Sequence, residues 1–264
     1  MKFEKLTSLE NAFKDCDDIL SANFTNSKTN QITNMASAFK GCINIESVSF
    51  NGFDTSKVTN MDNLFTRCTH LKNLNGFLDT SSCTSMKEMF AYCNLLENVD
   101  VSKFKTSKVV TMKGMFQNCD VLAKLDVSSF DTSSVTDLSF MFLSDMALSE
   151  LNVSGLNTKN VVTMESLFEK CGALNSLDVS SFNTKSVTNM AKMFMGCVNV
   201  KELNVKNFDT SNVRFFSFMF CYMHPLCYFY GVYDFSFNSA ESTYSMFVQG
   251  SYFYPFYYHY TISF

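Results

Sequence analysis

Cysteine is the residue type in this sequence that most suggests chemistry, because its thiols recur at one place in a repeated phrase. Zinc sites use close pairs such as Cys-x-x-Cys, and the sequence contains no such pair. A free cysteine packs as a small buried hydrophobe, so we expect a ladder of core thiols. Ser144 is assigned the same place in the sixth unit. The ladder cysteines are Cys16, Cys42, Cys68, Cys93, Cys119, Cys171 and Cys197.

Acid–base or nucleophilic catalysis would need histidine grouped with a serine, a cysteine or a carboxylate. The three histidines, His70, His224 and His259, are scattered and share no repeat position. No glycine-rich phosphate loop occurs among the nine glycines. We therefore expect a protein that is not an enzyme and that uses no cofactor and no metal.

The elements that position these side chains follow a repeat, marked by the phenylalanine three residues before each ladder cysteine. Successive markers lie 26 residues apart, except for a step of 25 where "NGFLDTSSC" lacks one residue. A fixed period of this length indicates stacked repeats. The markers are Phe13, Phe39, Phe65, Phe90, Phe116, Phe142, Phe168, Phe194 and Phe220.

Each unit combines two hydrophobic spacings. Leu177 and Val179 alternate with polar residues, which predicts a short strand with one buried face. The next apolar residues are spaced by 3, 3, 1 and 3, which places them on one side of a short helix; they are Val187, Met190, Met193, Phe194 and Cys197. Between the two spacings, an Asp-Thr or Asn-Thr pair such as Asp131-Thr132 predicts a turn fixed by side-chain hydrogen bonds.

These units predict an α/β fold: a right-handed leucine-rich-repeat-like solenoid of about ten 26-residue coils, with parallel strands on one face and short helices on the other. Helices would lie about 8–10 Å apart, and a disulfide needs Cα atoms within about 7 Å, so the ladder thiols should stay reduced. The rival is an all-β solenoid in which the Met-x-x-Met-Phe segments are extended.

Two regions are expected along the chain. Residues 1–220 form a solenoid of nine 26-residue repeats, of which the first is incomplete. Residues 221–264 form a degenerate, aromatic-rich tenth repeat and a C-terminal cap, with a closing strand at Phe253, Phe256 and Tyr258. The alternatives for this end are a reading-frame slip or a divergent disordered tail. An exposed aromatic surface there could be an interface or an aggregation liability.

Composition restricts the classes of partner. The formal net charge of the 264 residues is −4 and the charges show no basic cluster, which argues against nucleic acid as a partner. No run of 18 apolar residues occurs, so we expect no transmembrane segment. The N-terminal residues lack the continuous apolar stretch of a signal peptide.

The spacing Leu-x-x-Leu-x-Val, as at Leu174, Leu177 and Val179, resembles the strand signature of leucine-rich repeats. The longer phrase "LDVSSFDTSSVTDLSFMF" resembles the 26-residue bacterial surface-protein repeat of the BspA-like leucine-rich-repeat family, and the likeness covers residues 1–220. This resemblance implies a cell-surface or secreted protein that binds host proteins or extracellular matrix. Because the sequence shows no signal peptide or anchor and begins inside a unit, it is expected to be a fragment or a cytoplasmic member.

Two functions follow from this resemblance and its exceptions. The first is a non-enzymatic cell-surface module for recognition and adhesion, with a protein or matrix ligand. The second is an intracellular scaffold of the same fold that binds other proteins, because the export signal is missing and the thiols are many.

The outward side chains of the predicted strands, here called the strand face, are the candidate binding surface. Stacked strands would hold equivalent residues about 5 Å apart, so two polar rows should run along the solenoid. Asp100 and Asp126 would then form a like-charge contact that costs stability unless a cation or donor lies nearby. A solvated polar face without a ligand is the alternative. The candidate residues are Asn75, Asp100, Ser102, Asp126, Ser128, Asn152, Ser154, Asp178, Ser180 and Asn204.

Overall fold

The computed structural model describes residues 6–25 and 30–248, and these form a solenoid of stacked parallel strands. Sheets have the orders β1-β2-β3, β4-β5 and β6-β7, all parallel. At the two breaks, residues 98–100 and 176–178 occupy the strand position without forming a strand. The strands are β1 (Ser21–Asn23), β2 (Ser47–Ser49), β3 (Asn73–Asn75), β4 (Lys124–Asp126), β5 (Glu150–Asn152), β6 (Glu202–Asn204) and β7 (Tyr228–Tyr230).

A second line of contacts joins the coils on another side of the solenoid. Isolated parallel bridges connect equivalent residues in successive coils, from Ser8↔Asn34 to Phe215↔Ser242. Between β1 and β7 the chain makes about eight turns. The predicted ten coils are more than the described residues form, because residues 6–248 begin and end within incomplete coils. The right-handed sense of the solenoid stays a prediction.

The predicted helices are wrong. Within the described residues the only helical element is the 3-10 turn Val232–Asp234, and the segments around the marker phenylalanines are runs of tight turns. In each run the residues two before and two after the marker adopt the left-handed conformation, as Lys192 (φ 58°) and Gly196 (φ 77°) do around Phe194. An α-helix cannot continue through such a residue, because its backbone requires negative φ at every position.

Hydrogen bonds between coils replace those of a helix. The Gly114 N–H donates to the Ser139 carbonyl at 2.9 Å, and the Phe116 N–H donates to the Met141 carbonyl at 3.0 Å. Alternate N–H groups therefore reach the next coil, while the residues between them close turns three residues long. Both arrangements satisfy the backbone donors. The bonds between coils are possible because equivalent carbonyls occupy the same position in every coil.

The core is a column of marker rings. The rings of Phe90 and Phe116 lie 5.6 Å apart, and those of Phe116 and Phe142 lie 6.2 Å apart, with near-parallel planes in both pairs. Val, Leu and Met side chains from the strand and turn positions surround this column and are buried. Burial of these aromatic and aliphatic surfaces drives the coils together.

The thiol ladder runs beside the rings. The Cys68 Sγ donates to the Phe39 carbonyl at 3.0 Å, and the Cys197 Sγ donates to that of Phe168 at 3.1 Å. All ten cysteines are free. Since the coils stack through strand contacts, about 4.8 Å apart, the distance argument against disulfides no longer holds. The hydrogen bonds to carbonyls now carry the expectation of reduced thiols.

One ladder assignment is wrong. The residue three after the Phe142 marker is Asp145, not Ser144, and Asp145 is fully buried. Its Oδ1 accepts the Cys119 N–H at 2.8 Å. This unit lacks the cysteine that marks the position in the other coils.

The polar turns are corners of the solenoid, as predicted. The Asp131 Oδ1 accepts the Ser133 N–H at 3.0 Å, which fixes the turn. The neighbouring threonine has a further role that was not predicted, because the Thr132 Oγ1 donates to the Asn157 carbonyl of the next coil at 3.0 Å. The corner threonines are buried throughout the described residues and link successive coils.

The C-terminal part of the described chain keeps the register of the stack. Leu203 in β6 pairs with Phe229 in β7, and Tyr228 and Tyr233 are exposed by 61% and 73%. The predicted closing strand at Phe253, Phe256 and Tyr258 lies outside the described residues. The division at residue 220 and the cap stay predictions. In residues 6–25 and 30–248 there is no helix with the length and apolar character to cross a membrane.

Candidate functional site

The strand face carries the predicted binding residues. Asn75, Asp126, Asn152 and Asn204 are the last residues of β3, β4, β5 and β6, and all four are exposed. The inward residue between each pair of outward residues is buried in β4 and β6, as at Leu125, and half-buried in β3 and β5, which confirms the predicted alternation. The second predicted row consists of the serines two residues after the outward strand position. Ser128 is half-buried, and the exposed members are Ser102, Ser154 and Ser180.

Asp100 and Asp178 occupy the two coils in which the sheet is broken. The strand register places Asp126 opposite Asn152, so the neighbour of this carboxylate in the next coil is an amide. No strand pairing brings Asp100 to Asp126, because residues 98–100 form no strand. The predicted contact between Asp100 and Asp126 therefore stays a prediction.

Each aspartate on this row closes a local turn. The Asp100 Oδ1 accepts both the Ser102 N–H at 3.0 Å and the Ser102 hydroxyl at 2.6 Å. The same geometry joins Asp178 to the Ser180 N–H at 2.9 Å. These Asx turns end the strand-side segment of the coil, so the row has a structural role that was not predicted for it.

The hydrogen bonds also fix the charge of the row. The pKa of Asp100 is lowered by hydrogen bonds from the Ser102 hydroxyl and then from the Ser102 N–H. The serine two residues on, Ser128 or Ser180, lowers the pKa of Asp126 and Asp178 in the same way. Hydrogen bonds to the ionised form favour it, so these carboxylates stay charged well below neutral pH.

Ion pairs between neighbouring coils flank the row. The Lys124 Nζ lies 2.6 Å from Glu150 Oε1 across β4 and β5. Nearer the N-terminus, the Lys72 Nζ lies 3.3 Å from Glu46 Oε2. Both pairs are largely exposed, so each contributes little to stability. The strand face therefore offers mixed charge at fixed spacing.

Two shallow clefts open on this face. One, of about 430 Å³, is lined by β4 and β5 with Asp126, Glu150 and Asn152 among its residues. The other, of about 400 Å³, lies beside β3 and has Phe77, Asp100 and Lys103 among its lining residues. The second cleft adjoins the coil that is one residue short.

The short coil explains the second cleft. Where five other coils bury a valine after the outward strand residue, as at Val127, this coil has Gly76 with φ 90°. A Cβ on Gly76 would lie 2.7 Å from the Asn51 nitrogen, so the two backbones can approach this closely only because residue 76 has no side chain. Phe77 is then left 42% exposed. The deletion in "NGFLDTSSC" was the sequence signal for this feature.

The histidines within the described residues contact backbone groups. His70 Nδ1 lies 2.8 Å from the Ile43 carbonyl, and His224 Nδ1 accepts the Leu226 N–H at 3.1 Å; His259 lies outside them. Residues 6–25 and 30–248 hold no group of three histidines, cysteines or carboxylates that could bind a metal. The strand face is thus the candidate site.

Comparison with solved structures places the fold among leucine-rich-repeat proteins. The leucine-rich repeat protein of T. pallidum superimposes with a TM-score of 0.51 at 18% sequence identity, covering 69% of this chain and 78% of that chain. The predicted likeness to leucine-rich-repeat proteins is confirmed at the level of the fold.

Two further solved structures are more distant. A leucine-rich repeat protein from Bacteroides ovatus gives a TM-score of 0.46 at 14% identity, over 82% of this chain and 62% of that chain. A leucine rich cell surface protein from Faecalibacterium prausnitzii gives 0.37 at 17% identity, over 77% and 57% of the two chains. No curated protein matches the sequence significantly.

A family model matches nearly the whole sequence. It is described as "Mycoplasma protein of unknown function, DUF285", and it matches residues 7–120, 72–152 and 143–255. Because these overlapping stretches run together from residue 7 to residue 255, the chain belongs to this Mycoplasma protein family of unknown function.

Proposed function

We propose that the chain is a non-enzymatic recognition module that binds a protein or extracellular-matrix partner through its strand face. The observation that carries the proposal is the outward polar row at the strand position of successive coils. Parallel pairing fixes the spacing of Asp126 and Asn152 within this row, and Asx turns fix the orientation of the carboxylates of Asp100 and Asp178 where the sheet is broken. A rigid, mixed-charge surface of this kind suits recognition of a protein, because little side-chain entropy is lost on binding.

We place this module at the cell surface or in secretion, as the resemblance to bacterial surface repeats implies. The alternative is an intracellular scaffold of the same fold. One observation favours the alternative: all ten cysteines are free, and free thiols persist more readily in reducing compartments. In either location the strand face would make the contact.

Reversing the charge of the row tests the proposal. The variant Asp100→Lys, Asp126→Lys, Asp178→Lys is compared with wild type for binding to a panel of immobilised extracellular-matrix proteins and, for the scaffold alternative, to partners recovered from the source cells. We expect affinity to fall at least tenfold, since three carboxylates held in place are replaced by cations.

A matched control separates binding from folding. Asp54, Asp131 and Asp209 lie at the corners and accept the same serine N–H bonds, so changing all three to Lys makes an equal change in charge and in Asx turns. The control should keep wild-type affinity. Equal affinity of both variants with melting curves like that of wild type would place the binding surface elsewhere and leave the strand face as a solvated surface.

A further inference from the structure

Asp145 interrupts a hydrogen-bonding pattern that the ladder cysteines otherwise share. In six coils the thiol donates to the carbonyl of the marker phenylalanine one coil earlier, at Sγ–O distances from 2.9 to 3.3 Å. Cys119 serves Phe90 in this way, and Cys171 serves Phe142. Asp145 takes the place of a ladder cysteine, so the equivalent acceptor one coil earlier is the Phe116 carbonyl.

That carbonyl accepts no hydrogen bond within the described residues. Elsewhere a marker carbonyl also accepts the N–H of its own ladder cysteine, as Phe90 accepts that of Cys93 at 3.2 Å. In the Phe116 coil the Cys119 N–H turns instead to Asp145 Oδ1 at 2.8 Å. The Phe116 oxygen is therefore left without either of its usual donors.

The second carboxyl oxygen of Asp145 also lacks a hydrogen-bond partner among the described residues. This oxygen, Oδ2, is buried, and the side chain is fully enclosed. A buried acceptor that loses contact with water and gains no donor destabilises the fold, and the repeat brings two of them to corresponding positions of neighbouring coils. A single proton between them would remove both costs, because a protonated carboxyl is a donor.

We propose that Asp145 is a protonated acid in the folded chain, that its Oδ2–H donates to the Phe116 carbonyl, and that its ionisation loosens the stack between the Phe116 and Phe142 coils. The acid takes the place of a thiol and makes the bond that a thiol makes elsewhere. Unlike a thiol, a carboxyl that opens to water ionises above a pH of about 3.9, and so the joint is sensitive to pH.

The surroundings of Asp145 agree with a neutral acid. Burial raises the pKa of Asp145 well above its usual value; the Cys119 N–H opposes this, and the charge of Asp120 adds to it. The thiols of Cys119 and Cys171 face it, and burial raises the pKa of both, so they bring no charge at neutral pH. In the following coil the Glu169 carboxylate is held by the Ser166 hydroxyl at 2.7 Å.

The direction of the pH effect follows from linkage. A carboxyl has a pKa of about 3.9 in an unfolded chain, and that of Asp145 is higher in the folded chain. Stability from this group is therefore fully present below the unfolded pKa and is lost as pH rises through the folded pKa. Between the two values, opening of the joint should become up to about tenfold more frequent for each unit of pH.

The variant Asp145→Asn tests the proposal, because an amide copies the protonated acid. Its oxygen can accept the Cys119 N–H and its NH₂ can donate to Phe116, but it cannot ionise. We expect the urea midpoint of wild type to fall between pH 5 and pH 9 relative to that of Asp145→Asn, and the variant to be the more stable at pH 8. Asp120→Asn, which removes an exposed neighbouring charge, should keep the wild-type slope.

Thiol labelling gives a local readout of the same joint. After short exposure to a neutral alkylating reagent, mass spectrometry gives the labelling of Cys119 and Cys171 relative to Cys68, which lies two coils before Cys119. This ratio should rise with pH in wild type and stay constant in Asp145→Asn. A constant ratio in wild type, or parallel pH slopes for the two proteins, would overturn the proposal.

A second variant at the same position keeps the test decisive if Asp145→Asn is poorly stable. Asp145→Cys restores the thiol found in the other coils and should fold at least as stably as wild type at pH 8. If Asp145→Asn and Asp145→Cys were both less stable than wild type at that pH, the charged carboxylate would be the stabilising form, and the proposal would be wrong.

Discussion

The corner threonine Thr158 should contribute more to stability than its small side chain suggests. It is 1% exposed, its Oγ1 donates to the Asn183 carbonyl at 2.9 Å, and the same oxygen accepts the Asn183 N–H at 2.7 Å. Valine has nearly the same shape and makes neither bond. Two hydrogen bonds at about 1 kcal/mol each predict that Thr158→Val lowers the free energy of unfolding by about 2 kcal/mol.

Two further variants isolate the hydroxyl. Thr136→Val removes an exposed hydroxyl with one long bond, 3.4 Å to the Val110 carbonyl, and should change stability by less than about 0.5 kcal/mol. Thr158→Ser keeps both bonds and loses one buried methyl, which costs about 0.8 kcal/mol. The expected order of stability is therefore Thr136→Val, then Thr158→Ser, then Thr158→Val.

Urea unfolding followed by circular dichroism measures these differences. The slope of the free energy against urea should be equal for all variants, because repeat proteins can lose cooperativity and a changed slope would invalidate the comparison. If Thr158→Val were no less stable than Thr136→Val, the links between corners would not hold the coils together as described.

Two other predictions concern the thiols and the glycines. Thiol counting in denaturant, on protein purified without reductant, should find all ten cysteines reactive, and in native buffer the half-buried Cys16 and Cys227 should react first; seven or more blocked thiols would contradict the ladder of free thiols. Gly76→Ala should lose about 1–2 kcal/mol, because φ is 90° and the new Cβ would meet the Asn51 nitrogen at 2.7 Å. Gly172→Ala, whose Cβ would lie 3.5 Å from Val198, should be neutral in the same denaturation assay, and equal losses would refute the steric explanation.

The strand side of each coil could be predicted from sequence because one physical rule governs it. Leu177 and Val179 are buried and Asp178 between them is exposed, as period two requires. The 26-residue step then aligns equivalent residues, and stacking follows because one coil cannot bury its apolar side alone.

The turn side could not be predicted because two backbones share its spacing. Met190, Met193 and Cys197 are buried as the helix prediction required, but successive three-residue turns repeat their inward positions at the same intervals. The left-handed residues that exclude a helix give no uniform signal. Glycine occupies some of these positions, yet Tyr92 and Phe140 adopt the same conformation.

The candidate site was predictable in position but not in its local bonds. Exposure of Asp126 and Asn152 follows from the strand pattern, and the Asp-x-Ser spacing that forms the Asx turns was present in the sequence. The breaks of the sheet at Asp100 and Asp178 had no such signal. Burial of Asp145 had no sequence signal, because a carboxylate in place of a core cysteine is indistinguishable in sequence from an exposed turn residue.

Far-UV circular dichroism of the intact chain distinguishes coils closed by hydrogen bonds to neighbouring coils from coils closed by helices. We expect a spectrum dominated by strand and turn, with no strong pair of minima at the helical wavelengths. If the spectrum had those two minima at the strength expected for one short helix in every coil, helices rather than hydrogen bonds between coils would close the solenoid.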